Sequence, residues 1–271
     1  MITGTILLFI LMFWGSYNLT NFSKHFSKPI FSVTPDSVNY SVEEAANAIE
    51  GNAQNISNGI FNAGFTKQVW WVKLSINPTE KSWIQVANPH INDISIYEQQ
   101  QGKWQRVYQS GDYYPYAQRV LDAPDYWYPV EAVPHIYLIR IDKKGESLNI
   151  PLRLIKDSSL ASYLSDRHFF FGIFLGWIFF LLVLNSFLWV SLKDHIHLFY
   201  SLYVICSVCW IISQWGIGFR SLWPEWPEFT SKSRPFFSNI SFIFLLELTA
   251  RFFTIPNTQR SYTKTIRILQ F

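Results

Sequence analysis

Charge is scarce in this 271-residue sequence: Asp, Glu, Lys and Arg make up 15%, against roughly a quarter in an ordinary soluble domain, while aromatic residues reach 18%. That shortage excludes a chain dissolved in water along its whole length. The charges that are present sum to +3 at pH 7 and are spread rather than gathered in runs, which excludes a nucleic-acid footprint. Cysteine is nearly absent. Both copies, Cys206 and Cys209, lie inside an apolar stretch, so the chain before them cannot be stapled by disulfides and must hold together by its own core. Their C-x-x-C spacing could suggest a redox or metal site, but no polar partner surrounds it, and in lipid thiols pack as small apolar groups. Catalytic signatures are missing as well: there is no G-x-S-x-G elbow, no H-E-x-x-H and no phosphate-cradling glycine loop. His25, His90, His135, His168, His195 and His197 are scattered, without clustered carboxylates. The expectation is therefore a non-enzyme with no cofactor and no metal. Calcium is left open, although Asp112, Asp122 and Asp125 are not spaced like a dedicated loop site.

What is present is partitioned along the chain. The length allows about two domains, and they differ in kind. Ile2 to Trp14 is an apolar run of signal-peptide length, too short to span a bilayer comfortably, so residues 1–19 read as a signal peptide or a short N-terminal anchor. No Lys or Arg precedes the run and no small-x-small triplet clearly follows it, which favours the anchor. Residues 20–160 read as an extracytoplasmic domain. Ser41-Val-Glu-Glu44 is a capping-box pattern that opens a short helix through about Ile49. Strand patterns follow it. In Val69–Asn77, Trp70, Val72, Leu74 and Ile76 share one face and Trp71, Lys73, Ser75 and Asn77 the other, the mark of a half-buried strand. Similar runs recur at Trp83–Ala87, Asp93–Glu98, Lys103–Gln109, Tyr126–Val130, Ile136–Asp142 and Leu148–Ile155, punctuated by Pro, Gly and Asn. Short strands so spaced predict a β-sandwich, and Pro151 places the last of them at an edge.

From residue 168 the chain reads as a transmembrane module. Apolar helices are expected over 169–192, 197–219 and 236–255, the first long enough at about 1.5 Å per residue for a hydrocarbon core of roughly 30 Å. Glu247 and Arg251 stand on one face of the third helix and can pair there. Such a pair is either a switch whose partner changes with state or an interfacial contact whose arginine snorkels to headgroups. Arg251, Arg260, Lys264 and Arg267 follow without an acidic residue, so the tail is expected in the cytoplasm. Counting back through three crossings puts residues 216–235 and the sandwich outside. Trp223-Pro-Glu-Trp-Pro227 in that outward loop suits headgroup depth.

The succession Trp70-Trp-Val-Lys-Leu74, Trp83, Asn88-Pro-His-Ile-Asn-Asp-Ile-Ser-Ile-Tyr97, Gly111-Asp112, Pro115 and Arg119 resembles the type-2 extracellular domain of bacterial seven-transmembrane receptors with diverse intracellular signalling modules. The resemblance continues through Phe171-Gly-Ile-Phe-Leu-Gly176, Leu184-Asn-Ser-Phe-Leu188, Ser191-Leu-Lys-Asp194, Leu198-Phe-Tyr-Ser-Leu-Tyr203, Gly216-Ile-Gly-Phe219, Leu222-Trp-Pro224 and Arg251-Phe-Phe253. It implies a jelly-roll-like sandwich similar to carbohydrate-binding modules, a ligand-sensing role, and a cytoplasmic signalling output. Members carry seven helices and usually an output domain, so a chain that stops at Phe271 is expected to be a fragment or truncated product and an input half. Trp71, Trp104, Tyr113, Tyr114, Tyr116 and Trp127 offer flat faces that could stack on a pyranose, and Arg119 a charged donor. The same aromatics equally suit a sandwich core, and Arg119 a pairing with Asp112 or Asp122. Expected partners are the lipid bilayer, an extracytoplasmic small molecule or glycan, a cytoplasmic signalling partner, and a second copy, although no heptad repeat supports a dimer. The competing reading is a non-sensory membrane scaffold that binds another envelope protein.

Overall fold

The computed structural model describes residues 23–252, so the apolar run Ile2–Trp14 and the basic positions 260, 264 and 267 lie outside the described residues. The chain divides into two compact units after His168. The first is a sandwich of two antiparallel sheets. One sheet orders β1 (Phe26–Ser27), β11 (Glu146–Lys156), β6 (Ser82–Val86) and β9 (Tyr126–Val130), with β4 (Ile60–Thr66) paired to the first half of β11. The other orders β3 (Gln54–Ile56), β2 (Phe31–Asp36), β5 (Val69–Ile76), β10 (His135–Asp142), β7 (Asp93–Gln100) and β8 (Lys103–Ser110). The inner faces meet through Val33, Val72, Leu74, Ile94, Ile96, Ile139 and Ile141 on one side and Ile84, Val86, Leu148, Ile150 and Leu152 on the other. Period-2 alternation drives this, because every second side chain of a strand shares a face.

Helices cover both outer faces. The first is α1 (Val42–Asn52), whose capping box forms as the sequence indicates: Ser41 Oγ accepts from the Glu44 N–H and Glu44 Oε2 from the Ser41 N–H. Ala45 and Ile49 of α1 pack on Trp71 and Leu138, which alternation had pointed outward. The opposite sheet is covered by the start of α2 (Asp157–Leu192). This helix begins before the expected residue 169, because hydropathy marks lipid exposure and not helicity. Leu160, Tyr163, Leu164 and Arg167 follow an i, i+3, i+4, i+7 stripe, and the first three pack with Trp127, Ala123 and Ile155.

Pro151 is not on an edge strand, contrary to the sequence expectation. β11 has neighbours on both sides, β4 facing Pro151 through Ile60 and β6 beginning its pairing at Leu152. The proline is accommodated because it falls just past the end of β6, where its carbonyl accepts from the Ala87 N–H at 2.9 Å. Pro35 sits on the same principle in β2, beyond the last residue paired to β3.

In the second unit, α2 is followed by α3 (His195–Gln214), α4 (Ile217–Ser221) and α5 (Pro227–Phe252). Lys193 takes φ 55° and Asp194 caps α3 by accepting from the Ile196 N–H, which makes the turn between α2 and α3. α3 stops at Gln214 rather than 219, because Gly216 at φ 72° ends it in the left-handed conformation. Gly218 leaves room for Trp223: a Cβ there would stand 2.3 Å from the Trp223 ring, which stacks on Phe237. α5 begins at Pro227 instead of 236, carrying Pro235 inside it, so much of the expected outward loop is helical. α3 packs along α5 through Ser207 and Ser241, whose hydroxyls are 2.7 Å apart, and through Phe199 against Phe244.

Among the described residues, two helices, α2 and α3, are long and apolar enough to cross a membrane. α5 is not in that set; Glu228, Lys232 and Arg234 stand in its first turns, and Asn239, Glu247 and Arg251 lower the hydropathy of its second half. The third expected span lies in its second half up to Phe252, and 253–255 lie outside the described residues.

Candidate ligand-binding loop of the sandwich

At one end of the sandwich three connections meet: 87–92 between β6 and β7, 111–125 between β8 and β9, and 143–145 between β10 and β11. Backbone bonds join them. The Asp112 N–H donates to Ile91 O at 2.8 Å and the Tyr113 N–H to Asn92 O at 3.3 Å. Gly111 is required here, because a Cβ would stand 2.0 Å from Asn92 O. Beneath the loop, the buried Tyr126 hydroxyl donates toward Ile91 O at 2.9 Å, and burial pushes its phenol far above the ordinary range. The Lys143 ammonium, itself buried, donates to His90 O and to Glu146 Oε2. The platform is thus held by backbone and buried polar contacts, while the long loop carries the exposed aromatics.

Tyr113, Tyr114, Tyr116 and Arg119 all come from this one loop. Tyr113 is 63% exposed, its hydroxyl accepting from Asn92 Nδ2 at 3.0 Å. Tyr114 is half-buried, and its hydroxyl is held by Gln109 Nε2 at 2.7 Å and Asp93 Oδ1 at 3.2 Å. Asp93 Oδ2 in turn takes Arg140 Nη1 at 2.8 Å. Tyr116, also half-buried, donates to Asp122 Oδ1 at 3.1 Å. With its hydroxyl fixed, Tyr113 is the tyrosine of this loop whose ring is largely in solvent, while Arg119 lies over the ring of Tyr116.

Arg119 serves a different end. It is 9% exposed; its guanidinium donates to Pro124 O and lies 5.0 Å and 4.5 Å from the ring centroids of Tyr116 and Tyr126. It ties the loop's two halves together from a position that is largely buried. The alternative weighed from sequence is a pairing with Asp112 or Asp122; the hydrogen bonds described for the guanidinium run to the Pro124 carbonyl and its neighbours and to the Tyr126 hydroxyl.

The tryptophans lie elsewhere. Trp71 and Trp127 are each 1% exposed, Trp71 under α1 with Nε1 donating to Asp36 Oδ2 at 3.1 Å, and Trp127 under α2 with Tyr163 against its edge. Neither has a free face, which corrects their expected place among the stacking residues: the outer faces on which alternation sets them are covered by helices. Trp104, on β8, is partly buried and packs against the cluster under α1. Asn92, Asp93 and Tyr126 were not singled out from sequence, although the Asn88–Tyr97 stretch carries two of them. Among the described residues no group of three or more His, Cys, Asp or Glu side chains could hold a metal ion. In the second unit, Arg251 Nε donates to Glu247 Oε1 at 2.7 Å within one turn of α5, and its guanidinium lies 4.2 Å from the Phe199 ring centroid.

Residues 31–156 match the family described as 7TMR-DISM extracellular 2, and residues 167–271 the family described as 7TM diverse intracellular signalling. Among solved structures the chain is similar to the family 32 CBM from C. perfringens NanJ, determined in complex with galactose. That similarity is 16% identity over 46% of this chain and 98% of the other, with a TM-score of 0.20, too low to carry an argument. No curated protein matches.

Proposed function

The chain belongs to the 7TMR-DISM receptors, membrane proteins with an extracellular sensor domain, and from that premise we propose that it is the input half of a signal-transduction receptor. In this reading the sandwich binds an extracytoplasmic small molecule or glycan without turning it over. The membrane helices pass the bound state to a cytoplasmic signalling module across a bacterial inner membrane. The observation that supports it is the tyrosine loop, where Tyr113 stands 63% exposed beside Tyr114 and Tyr116, whose hydroxyls are held by Gln109, Asp93 and Asp122. A ligand can bias such a receptor only by binding its two states with different affinity.

The test is a thermal-shift screen of the full chain in lipid nanodiscs against a broad panel of glycans and small metabolites. A ligand that binds the folded form stabilises it by about 2.7 kcal/mol at a hundred times its Kd, and Tyr113→Ala with Tyr116→Ala should abolish that shift. Absence of any stabilising compound from the panel would retire the sensor reading in favour of a scaffold for an envelope protein.

A further inference from the structure

The first turns of α2 are fastened to the sandwich by a polar chain that ends at the tyrosine loop. Asp125, the last residue of that loop, is 3% exposed, and its Oδ2 receives both Gln85 Nε2 at 2.8 Å and Arg167 Nη1. Gln85, fully buried, accepts from the Tyr163 hydroxyl at 3.1 Å, and that hydroxyl accepts from Arg153 Nη1 at 3.0 Å. Tyr163 and Arg167 are one helical turn apart on the same face of α2. The other end of this docked segment is held separately, by Trp83 Nε1 on Asp157 Oδ1 at 2.6 Å and Ser158 Oγ on Glu80 Oε2 at 3.1 Å. Asp157 to His168 is therefore fixed at its start by one set of contacts and at its end by Asp125 on Arg167, with His25 Nε2 on Asp166 Oδ2 at 3.1 Å beside it.

Asp125 is also the end of the path through Arg119. Tyr116 holds Asp122, Arg119 lies over the Tyr116 ring, and the same guanidinium holds the carbonyl of Pro124, one residue before Asp125. A displacement of Tyr116 thus moves residues that set the position of the Asp125 carboxylate. We propose that the Asp125–Arg167 pair is a latch through which the tyrosine loop controls whether the end of the docked segment stays on the sheet. The sensor reading supplies what moves the loop; the latch itself stands on this geometry. A buried carboxylate shared between an amide and a guanidinium suits that role, because losing the guanidinium leaves the Asp125 charge without its counter-ion at a side chain only 4% exposed. The latch requires an open arrangement beside the closed one that the structure holds, which is what a conformational relay needs.

The experiment is hydrogen exchange, read by mass spectrometry on the full chain in nanodiscs without ligand, over peptides covering residues 160–168. Asp125→Asn keeps the shape and removes the charge, and Arg167→Gln removes the other half. Each should speed exchange there by roughly tenfold or more while strand β10 keeps its protection. Tyr116→Ala should speed the same peptides, and Lys73→Ala, on the other sheet, should not. Unchanged exchange in both Asp125→Asn and Arg167→Gln overturns the latch, and unchanged exchange in Tyr116→Ala overturns its control by the loop. None of these readings requires a ligand, so a failed ligand screen and a failed latch are distinguishable.

Discussion

Trp71 and Tyr113 are both large aromatics of the first unit, and the structure gives them opposite duties. Burying the Trp71 ring removes some 150–250 Å² from water, roughly 4 to 6 kcal/mol of favourable transfer, and its indole N–H is satisfied by Asp36. Trp71→Ala should therefore cost about 3–5 kcal/mol in chemical unfolding of the first unit, monitored in the full chain. Tyr113→Ala, at a ring 63% exposed, should stay within about 0.5 kcal/mol. Equal costs for the two substitutions would contradict the assignment of one to the core and the other to the ligand loop. At this scale the alternation in Val69–Asn77 was enough to place Trp70, Val72 and Leu74 inside and Trp71 on the other face. It could not say that Ala45 and Ile49 would arrive to cover that face, because a covering helix is a long-range contact that a period-2 pattern does not contain. Arg119 has the same limit: its type and loop position suggest a donor, whereas its partners are carbonyls fixed only once the loop has closed.

Among the elements, α1 is the one whose start is written most fully in local residues. Both halves of its capping box are made, Ser41 Oγ to the Glu44 N–H at 3.3 Å and the Ser41 N–H to Glu44 Oε2 at 2.8 Å. Ser41→Ala should cost about 0.5–2 kcal/mol of stability, seen as a lower midpoint for the first unit in thermal unfolding. Because α1 supplies the cover over Trp71, the same substitution should also raise quenching of tryptophan fluorescence by acrylamide; a loss of stability without that rise would detach the helix from its covering role. The runs of alternating apolar residues located β5 to β11 to within a few residues, since each side of those strands meets a different medium. β1 to β4 escaped notice: β1 and β3 are two and three residues long, Pro35 interrupts the pattern of β2, and β4 is broken in register at Leu148 and Asn149 of its partner. Helix ends in the second unit shifted for identifiable causes, the left-handed Gly216 closing α3 early and Pro227 opening α5 early.

Taken as a whole molecule, the chain is legible mainly through the contrast between its two halves: one carries the polar surface and turns of a sandwich, and the other carries α2 and α3, which need an apolar medium to bury their side chains. Orientation is the property that follows from charge rather than from fold. Positions 251, 260, 264 and 267 are basic and the tail beyond Arg251 has no acidic residue, and basic segments close to membrane helices are retained in the cytoplasm. With the three crossings expected from sequence between that tail and Asp157, a cytoplasmic tail goes with a sandwich on the outside. A reporter active only in the cytoplasm should accordingly be active when fused after Phe271 and silent when fused near Asp157. The crossing count carries the weight, because α5 holds Glu247 and Arg251 in its second half and is less apolar than the other two helices. If both fusions are silent, α5 does not cross and the tail lies on the sandwich's side. An Arg251→Leu variant that then made the tail fusion active would locate the fault in the charge of that helix. An active fusion near Asp157 would put the tyrosine loop in the cytoplasm, and with it any outside ligand would lose access to the only surface on which Tyr113, Tyr114 and Tyr116 come together among the described residues.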